Sequence, residues 1–424
     1  MLHITLKGDI IMVYVINKHG RSLMPCTPRT ARLLLRDKCA KVISRDPFTI
    51  KLLIGVPGYT QPLVLGIDPG SKYIGSAVRT ETNQAIYLSE IHQRTDVTKK
   101  MTQRKMYRVN RRGRKTRYRK PRFSNRKNST KTNRYPPTLE NKFHTIEREV
   151  EFVCKKLPIT KLYIEMGKFD MHAMTNPDVL KNHWMYQQGN EFGFYNTKAY
   201  VLNRDDYTCQ CCKGKKKDPR LHCHHIIYRR NGGSDRADNL IVVCETCHDD
   251  IHANKITLTK KQLLAVKKSL KHATQMNVLC SMIKKRFVID TFTETSGYIA
   301  KSIREHFECY KEHYWDAFFG SFEHGNKPEI LTDKVLIKKC VAKGVYRQTS
   351  GKRSEKKMPT GKICGFRVWD KVKFNNVIYF VRGRMSTGYA NLCNIHGEQF
   401  KILPMPKFTQ LTRISARKSW IMST

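Results

Sequence analysis

The chain is short of acid. Against 80 Lys and Arg it sets only 35 Asp and Glu, a formal charge of +45 over 424 residues. Self-repulsion of that size is tolerable only beside a polyanion, which makes nucleic acid the expected partner but names no reaction. Long apolar runs are missing as well. None approaches the ~18 residues of a membrane helix, which excludes a helical membrane anchor. The opening "MLHITLKGDIIMVYVIN" lacks a long apolar core followed by a small-residue cleavage site, so the expectation is a cytoplasmic, nucleoid-associated protein rather than a secreted one. Met12 is a candidate start, because the residues before it add no obvious element. Disulfide spacing is absent too. Of 14 cysteines, Cys209, Cys211, Cys212, Cys223, Cys244 and Cys247 crowd around histidines and the other eight are scattered singly, a pattern of metal binding in a reducing compartment.

What is present suits two to four domains. A β-branched strand "MVYVIN", an amphipathic "RTARLLLRDKCAKVI" and a second strand "FTIKLLI" form a small α+β module. "PLVLGIDPGSKYIGSAVRT" then gives strand, break and strand. Beyond it the composition changes: there is no acidic residue between Asp96 and Glu140, and residues 99–134 carry 17 Lys or Arg. From about residue 326 short strand-like pieces alternate with Gly, Asn and Asp turns, the pattern of a small all-β domain.

The densest chemistry lies in "LHCHHIIYRRNGGSDRADNLIVVCETCHDDIH", residues 221–252. Cys209-x-x-Cys212 and Cys244-x-x-Cys247 are two thiolate knuckles, together a structural zinc site, with Cys211 and Cys223 as alternative ligands. Four thiolates leave no open position, so chemistry falls to the histidines. A strand through His224 and His225 turns them to opposite faces, one toward a metal and one toward substrate. His248 and His252 share one helical face, as joint chelation requires. Asn239 is placed to hold the His225 imidazole in one tautomer through its side-chain oxygen. This stretch resembles the HNH nucleases, a ββα-metal fold. The resemblance implies His225 as general base, Asn239 as its orienter, and His224, His248 and His252 as ligands of one divalent cation. The family more often has Asp before the base, so His224 leaves the metal open between Mg2+ and Mn2+.

Three further motifs carry acid. "GIDPG" ends an apolar strand on Asp68, "LYIEM" ends another on Glu165, and "HYWDAFF" puts His313 and Asp316 on one helical face. Phosphodiester hydrolysis by paired cations needs carboxylates converging from separate elements. In this order they resemble RuvC-type, ribonuclease H-like nucleases, which implies Asp68, Glu165 and Asp316 as ligands of Mg2+ or Mn2+ and His313 as their assistant. Between the first two motifs, Arg104, Arg108, Arg111, Arg112, Lys115, Arg119 and Arg122 recur near helical spacing with Tyr107, Tyr118 and Phe123 among them, a pattern for phosphates and exposed bases.

A split RuvC, an internal Arg-rich helix and an inserted HNH together resemble the IscB family, relatives of the large CRISPR effector nucleases. "LMPCTP" is similar to its N-terminal Pro-Leu-Met-Pro domain, with Ser22 in place of the first proline, and "KFDMHAM" with "MYQQG" to its linker before HNH. The resemblance implies an α/β multidomain protein: an N-terminal domain over 12–58, RuvC parts over 59–95, 136–200 and 257–325, a bridge helix over 96–135, HNH over 201–256, and a β domain over 326–424. It further implies an RNA-guided DNA endonuclease, a monomer in a ribonucleoprotein with guide and scaffold RNA, acting on double-stranded DNA. HNH would cut the paired strand and RuvC the displaced one. Two rivals remain: a protein-only HNH endonuclease, and a non-catalytic RNA-binding protein with a structural zinc unit.

Overall fold

A small module leads the chain: strand β1 (Tyr14–Ile16), helix α1 (Pro28–Arg36), and strands β2 (Ala40–Arg45) and β3 (Phe48–Leu52), in sheet order β1-β3-β2. Helix α1 begins where Thr27 accepts the Thr30 N–H at 3.3 Å and Pro28 takes the first helical position. The computed structural model describes residues 5–6, 12–55, 58–113, 134–264, 266, 269–287, 292–323, 327–332, 334–342, 347–348, 355–356 and 361–423. Lys115, Arg119 and Arg122 of the basic stretch lie outside the described residues.

The main sheet starts with an antiparallel meander, β4 (Leu63–Asp68), β5 (Tyr73–Thr80) and β6 (Gln84–His92). Strand β4 is buried at every position, which is why it reads as one apolar run rather than an alternation. Helices α2 (Val97–Gly113) and α3 (Pro137–Cys154) follow, and the chain returns as β7 (Ile159–Glu165), parallel to β4.

The chain then leaves this unit at Gly167 and rejoins it at Val278; residues 168–277 form a second compact unit. That unit holds α4 (Thr197–Arg204), the antiparallel pair β8 (Leu221–His225) and β9 (Leu240–Cys244), and α5 (Glu245–His252), a ββα arrangement. Its core is two small clusters, one around Ile241, Val243 and Ile251 and one around Val201, Leu240 and Val242.

Back in the first unit, β10 (Phe292–Thr295) lies parallel to β7, followed by α6 (Gly297–His306) and α7 (His313–Gly320). Helix α7 rests directly on the sheet. A Cβ on Gly66 would stand 2.0 Å from the Ala317 oxygen, and one on Gly75 1.8 Å from the His313 oxygen, so only glycine admits the helix backbone at these two points. The far end of α7 is held by Arg79, fully buried, whose Nε donates to the Ser321 carbonyl at 2.8 Å. A cation there satisfies an orphan carbonyl and opposes the helix dipole.

The remaining strands divide. β11 (Val335–Cys340) runs parallel to β6, and β12 (Lys371–Phe374), β13 (Val377–Arg384), β14 (Ala390–Cys393) and β15 (Thr412–Ser415) form a separate sheet ordered β14-β13-β12-β15. The last strand, β16 (Trp420–Ser423), pairs with β11. The β domain expected over 326–424 is therefore smaller than its sequence pattern implied, because the first and last strands of that span complete the main sheet. Buried Lys338 of β11 explains part of that recruitment: it donates to Tyr87 at 2.7 Å and pairs with buried Glu149 of α3. Among the described residues no helix is long and apolar enough to cross a membrane.

Candidate active sites

In the inserted unit, Cys209, Cys212, Cys244 and Cys247 bring their sulfurs within 4.8 Å of one another. Cys211 and Cys223 stand outside this group. The backbone N–H of Lys216 holds the Cys212 thiol down to about 6, while burial and neighbouring thiols push Cys247 up. Four sulfurs this close, one already thiolate, fit a zinc ion, which would draw off the remaining protons.

The second gathering is His224, His248 and His252, again within 4.8 Å. The β8 alternation delivers His224 to this side, 3% exposed, and α5 brings the other two one turn apart. Burial and the neighbouring imidazoles push His224 down to about 4, so the ring is neutral near pH 7, the form in which an imidazole could bind a metal. Its Nε2 is buried with no hydrogen-bond partner among the described residues, which fits a nitrogen free to bind a cation. Tyr228 stacks on His252 at 5.5 Å, and His222, two residues before His224 on the same strand face, stacks on His248 at 5.1 Å. Sequence reading passed over His222, although its i, i+2 spacing from His224 was the available signal.

His225 points the other way. Its Nε2 donates to Asp235 Oδ1 at 2.8 Å, which leaves Nδ1 as the basic nitrogen. Asn239 does not do this work, contrary to expectation. Fully buried, its Oδ1 accepts from the Ile227 N–H at 2.8 Å, and its Nδ2 donates to the carbonyls of Ile227 at 3.0 Å and Ser234 at 2.7 Å. Asn239 thus pins the loop on which Asp235 rides. A Cβ on Gly233 would stand 1.7 Å from the Ile227 oxygen, so that loop closes only with glycine there. Asp235 had no sequence signal, because a lone acid in a turn is common.

In the first unit the register Ile67 opposite Ile164 sets Asp68 and Glu165 side by side at the ends of parallel neighbours. His313, the first residue of α7, donates from Nδ1 to Asp68 Oδ2 at 2.5 Å. Asp316, one turn on, accepts from Arg304 Nε at 2.9 Å, a partner the sequence did not suggest. The three carboxylates are not among the groups that gather within 4.8 Å, yet they act on one another. Burial, then Asp68 and Asp316, push Glu165 up to about 8. Burial likewise pushes Asp68 up, and its hydrogen bond pulls His313 up. Acids that repel each other this way fit divalent cations, which would replace the protons.

A stability test follows. Glu165 holds its proton in the folded chain up to about pH 8 and loses it near 4.5 when unfolded, so metal-free stability falls as pH rises between those values. Glu165→Gln is expected to raise the stability of the metal-free protein by roughly 2–4 kcal/mol at pH 9 and hardly at pH 5. Thermal melts in chelator at the two pH values check it; equal shifts at both would reject a buried, repelled carboxylate.

Of the basic stretch, Arg104 and Arg108 lie exposed on α2, and Arg111 and Arg112 fall in its last turn.

Two family models match the chain: RRXRR protein over residues 13–189 and HNH endonuclease over residues 209–254. The chain is also 34% identical over 65 residues to the type IV methyl-directed restriction enzyme EcoKMcrA of Escherichia coli. That stretch is 14% of this chain and spans 23% of the relative's length.

Proposed function

We propose that this chain, an IscB-like protein in which an RRXRR region precedes an HNH endonuclease domain, is an RNA-guided DNA endonuclease with two active sites. A noncoding RNA pairs with one DNA strand, the HNH site hydrolyses that strand, and a ribonuclease H-like RuvC site hydrolyses the displaced one. The observation that carries the reading is Asp68 beside Glu165 with His313 bonded to Asp68, in the same chain as the His224, His248 and His252 cluster. The strand order β6-β5-β4-β7-β10, a meander followed by two parallel strands, supports the ribonuclease H-like assignment.

At the HNH site Nδ1 of His225 takes the proton of the attacking water while Asp235 fixes the ring and keeps the other nitrogen protonated. His224, His248 and His252 would hold a divalent cation, which would supply charge stabilisation for the departing oxygen. At the RuvC site Asp68, Glu165 and Asp316 would hold the cations, and His313 keeps the Asp68 carboxylate in place through its Nδ1 proton. Three imidazoles without a carboxylate favour Mn2+ over Mg2+. Paired-strand cutting is therefore expected to reach half its maximum at a lower concentration of Mn2+ than of Mg2+, by titration of each metal into stripped protein. Equal or inverted requirements would contradict an all-imidazole site.

RNA dependence is tested by purifying the chain and sequencing what it retains. A discrete RNA held through high salt is expected, with DNA cleavage lost on RNA digestion. Heterogeneous fragments that wash off with salt would favour a protein-only HNH endonuclease. Tight RNA with no metal-dependent cleavage would favour a non-catalytic RNA-binding protein.

A further inference from the structure

Where the basic helix α2 leaves the sheet, it meets the first turn of α3 around a cleft of about 300 Å³. This is the low end of the ~300–1,000 Å³ typical of small-ligand pockets, room for one base and its sugar but not for a duplex. The lining has three kinds of chemistry. Arg94, Lys100 and Arg104 bring positive charge; the first two share Asp96, at 2.9 and 3.5 Å, whereas Arg104 has no ion-pair partner among the described residues. Tyr107, half-buried one turn beyond Gln103, offers an aromatic face. Asn141 on α3 is half-buried, and its side-chain amide has no hydrogen-bond partner among the described residues.

A partly buried amide left unpaired beside an aromatic ring and a free guanidinium is the set that reads a base edge, stacks a base and holds a phosphate. We propose that this cleft takes one unstacked nucleotide of the bound RNA, with the base against Tyr107, its edge on the Asn141 amide and its phosphate on Arg104. This rests on the RNA-guided reading above. RNA is favoured over DNA by cost: a structured RNA offers bulged nucleotides already out of the stack, whereas a target duplex must spend a few kcal/mol to extrude one. The site is distinct from the arginines further along the basic stretch, which would meet phosphates without regard to the base.

The test uses the ribonucleoprotein purified with its own RNA, probed at each nucleotide with base- and 2′-hydroxyl-reactive reagents. One nucleotide is expected to be protected in the native complex and to become about tenfold more reactive in Asn141→Leu and Tyr107→Ala, the rest of the profile holding. Ala342→Leu narrows the cleft from another of its lining residues without removing a polar group and is expected to expose the same nucleotide, which guards against a folding defect in the other two. Retained RNA with no such single site, or with changes spread along its length, would overturn the cleft alone. Protection appearing only on added target DNA would assign the nucleotide to DNA and overturn the proposal. Absence of any discrete RNA would overturn the functional reading and the cleft with it.

Discussion

Asp68→Ala is expected to abolish cutting of the displaced strand while the paired strand is still cut, and His225→Ala to do the reverse. The two residues sit in separate units of the chain, each with its own partners: Asp68 with His313 in the sheet unit, His225 with Asp235 in the inserted unit. Loss of a general base costs on the order of 10²–10⁴-fold in rate, and loss of a carboxylate that holds cations is expected to cost at least as much at its own site. Neither change should reach the other site, since neither removes a group that the other uses. Cleavage of a duplex labelled differently on each strand gives the readout. Loss of both cuts from either single substitution would defeat the two-site reading. Asp235→Asn offers a graded version: the ring keeps its place but loses its anionic partner, so paired-strand cutting should slow without vanishing.

Replacing Cys244 by Ser is expected to unfold the inserted unit. Its two apolar clusters are small, so much of its stability is expected to come from the metal that joins the ends of its strands and helix. Structural zinc in such units contributes ~10–16 kcal/mol of binding free energy at neutral pH, more than the net stability of most domains. Cys244 ends β9 and leads into α5, so losing its sulfur frees the strand that fixes His224 and the helix that carries His248 and His252. Zinc content should drop, proteolysis should enter residues 168–277, and paired-strand cutting should stop, while the sheet unit resists protease. Cys211→Ser serves as the control, since its sulfur is outside the quartet. A zinc-free variant that stays protease-resistant across this unit would show the site to be dispensable.

Much of the candidate chemistry could be read in the chain because it is local. Cys-x-x-Cys fixes a knuckle within a few residues, i and i+4 histidines share a helical face, and adjacent strand residues face opposite ways, so the cysteine quartet and the histidine trio gather as spacing implied. The apolar runs ending in Asp68 and Glu165 likewise announce strands whose last residue reaches an edge. Partners set by loops were not legible. Asn239 sits at the right distance in sequence to orient His225, yet its amide closes the 227–234 loop, because a fully buried amide must satisfy its hydrogen bonds with whatever backbone is nearest. Arg304 on Asp316 and Asp235 on His225 are pairings across loops of a kind that no periodicity encodes.

By itself the sequence determined the nucleic-acid bias of the charge, the cassette of gathered cysteines and histidines and the strand and helix that present each candidate residue, since these follow from composition and from spacings shorter than one element. Only the tertiary structure decided that Asp68 and Glu165 lie abreast, that His313 reaches Asp68 over Gly75, and that β11 and β16 leave the C-terminal region to finish the main sheet. Those outcomes depend on strand register and on helix-to-sheet approach, which are set by side chains hundreds of residues apart packing at close range, and such distances leave no periodic trace along the chain.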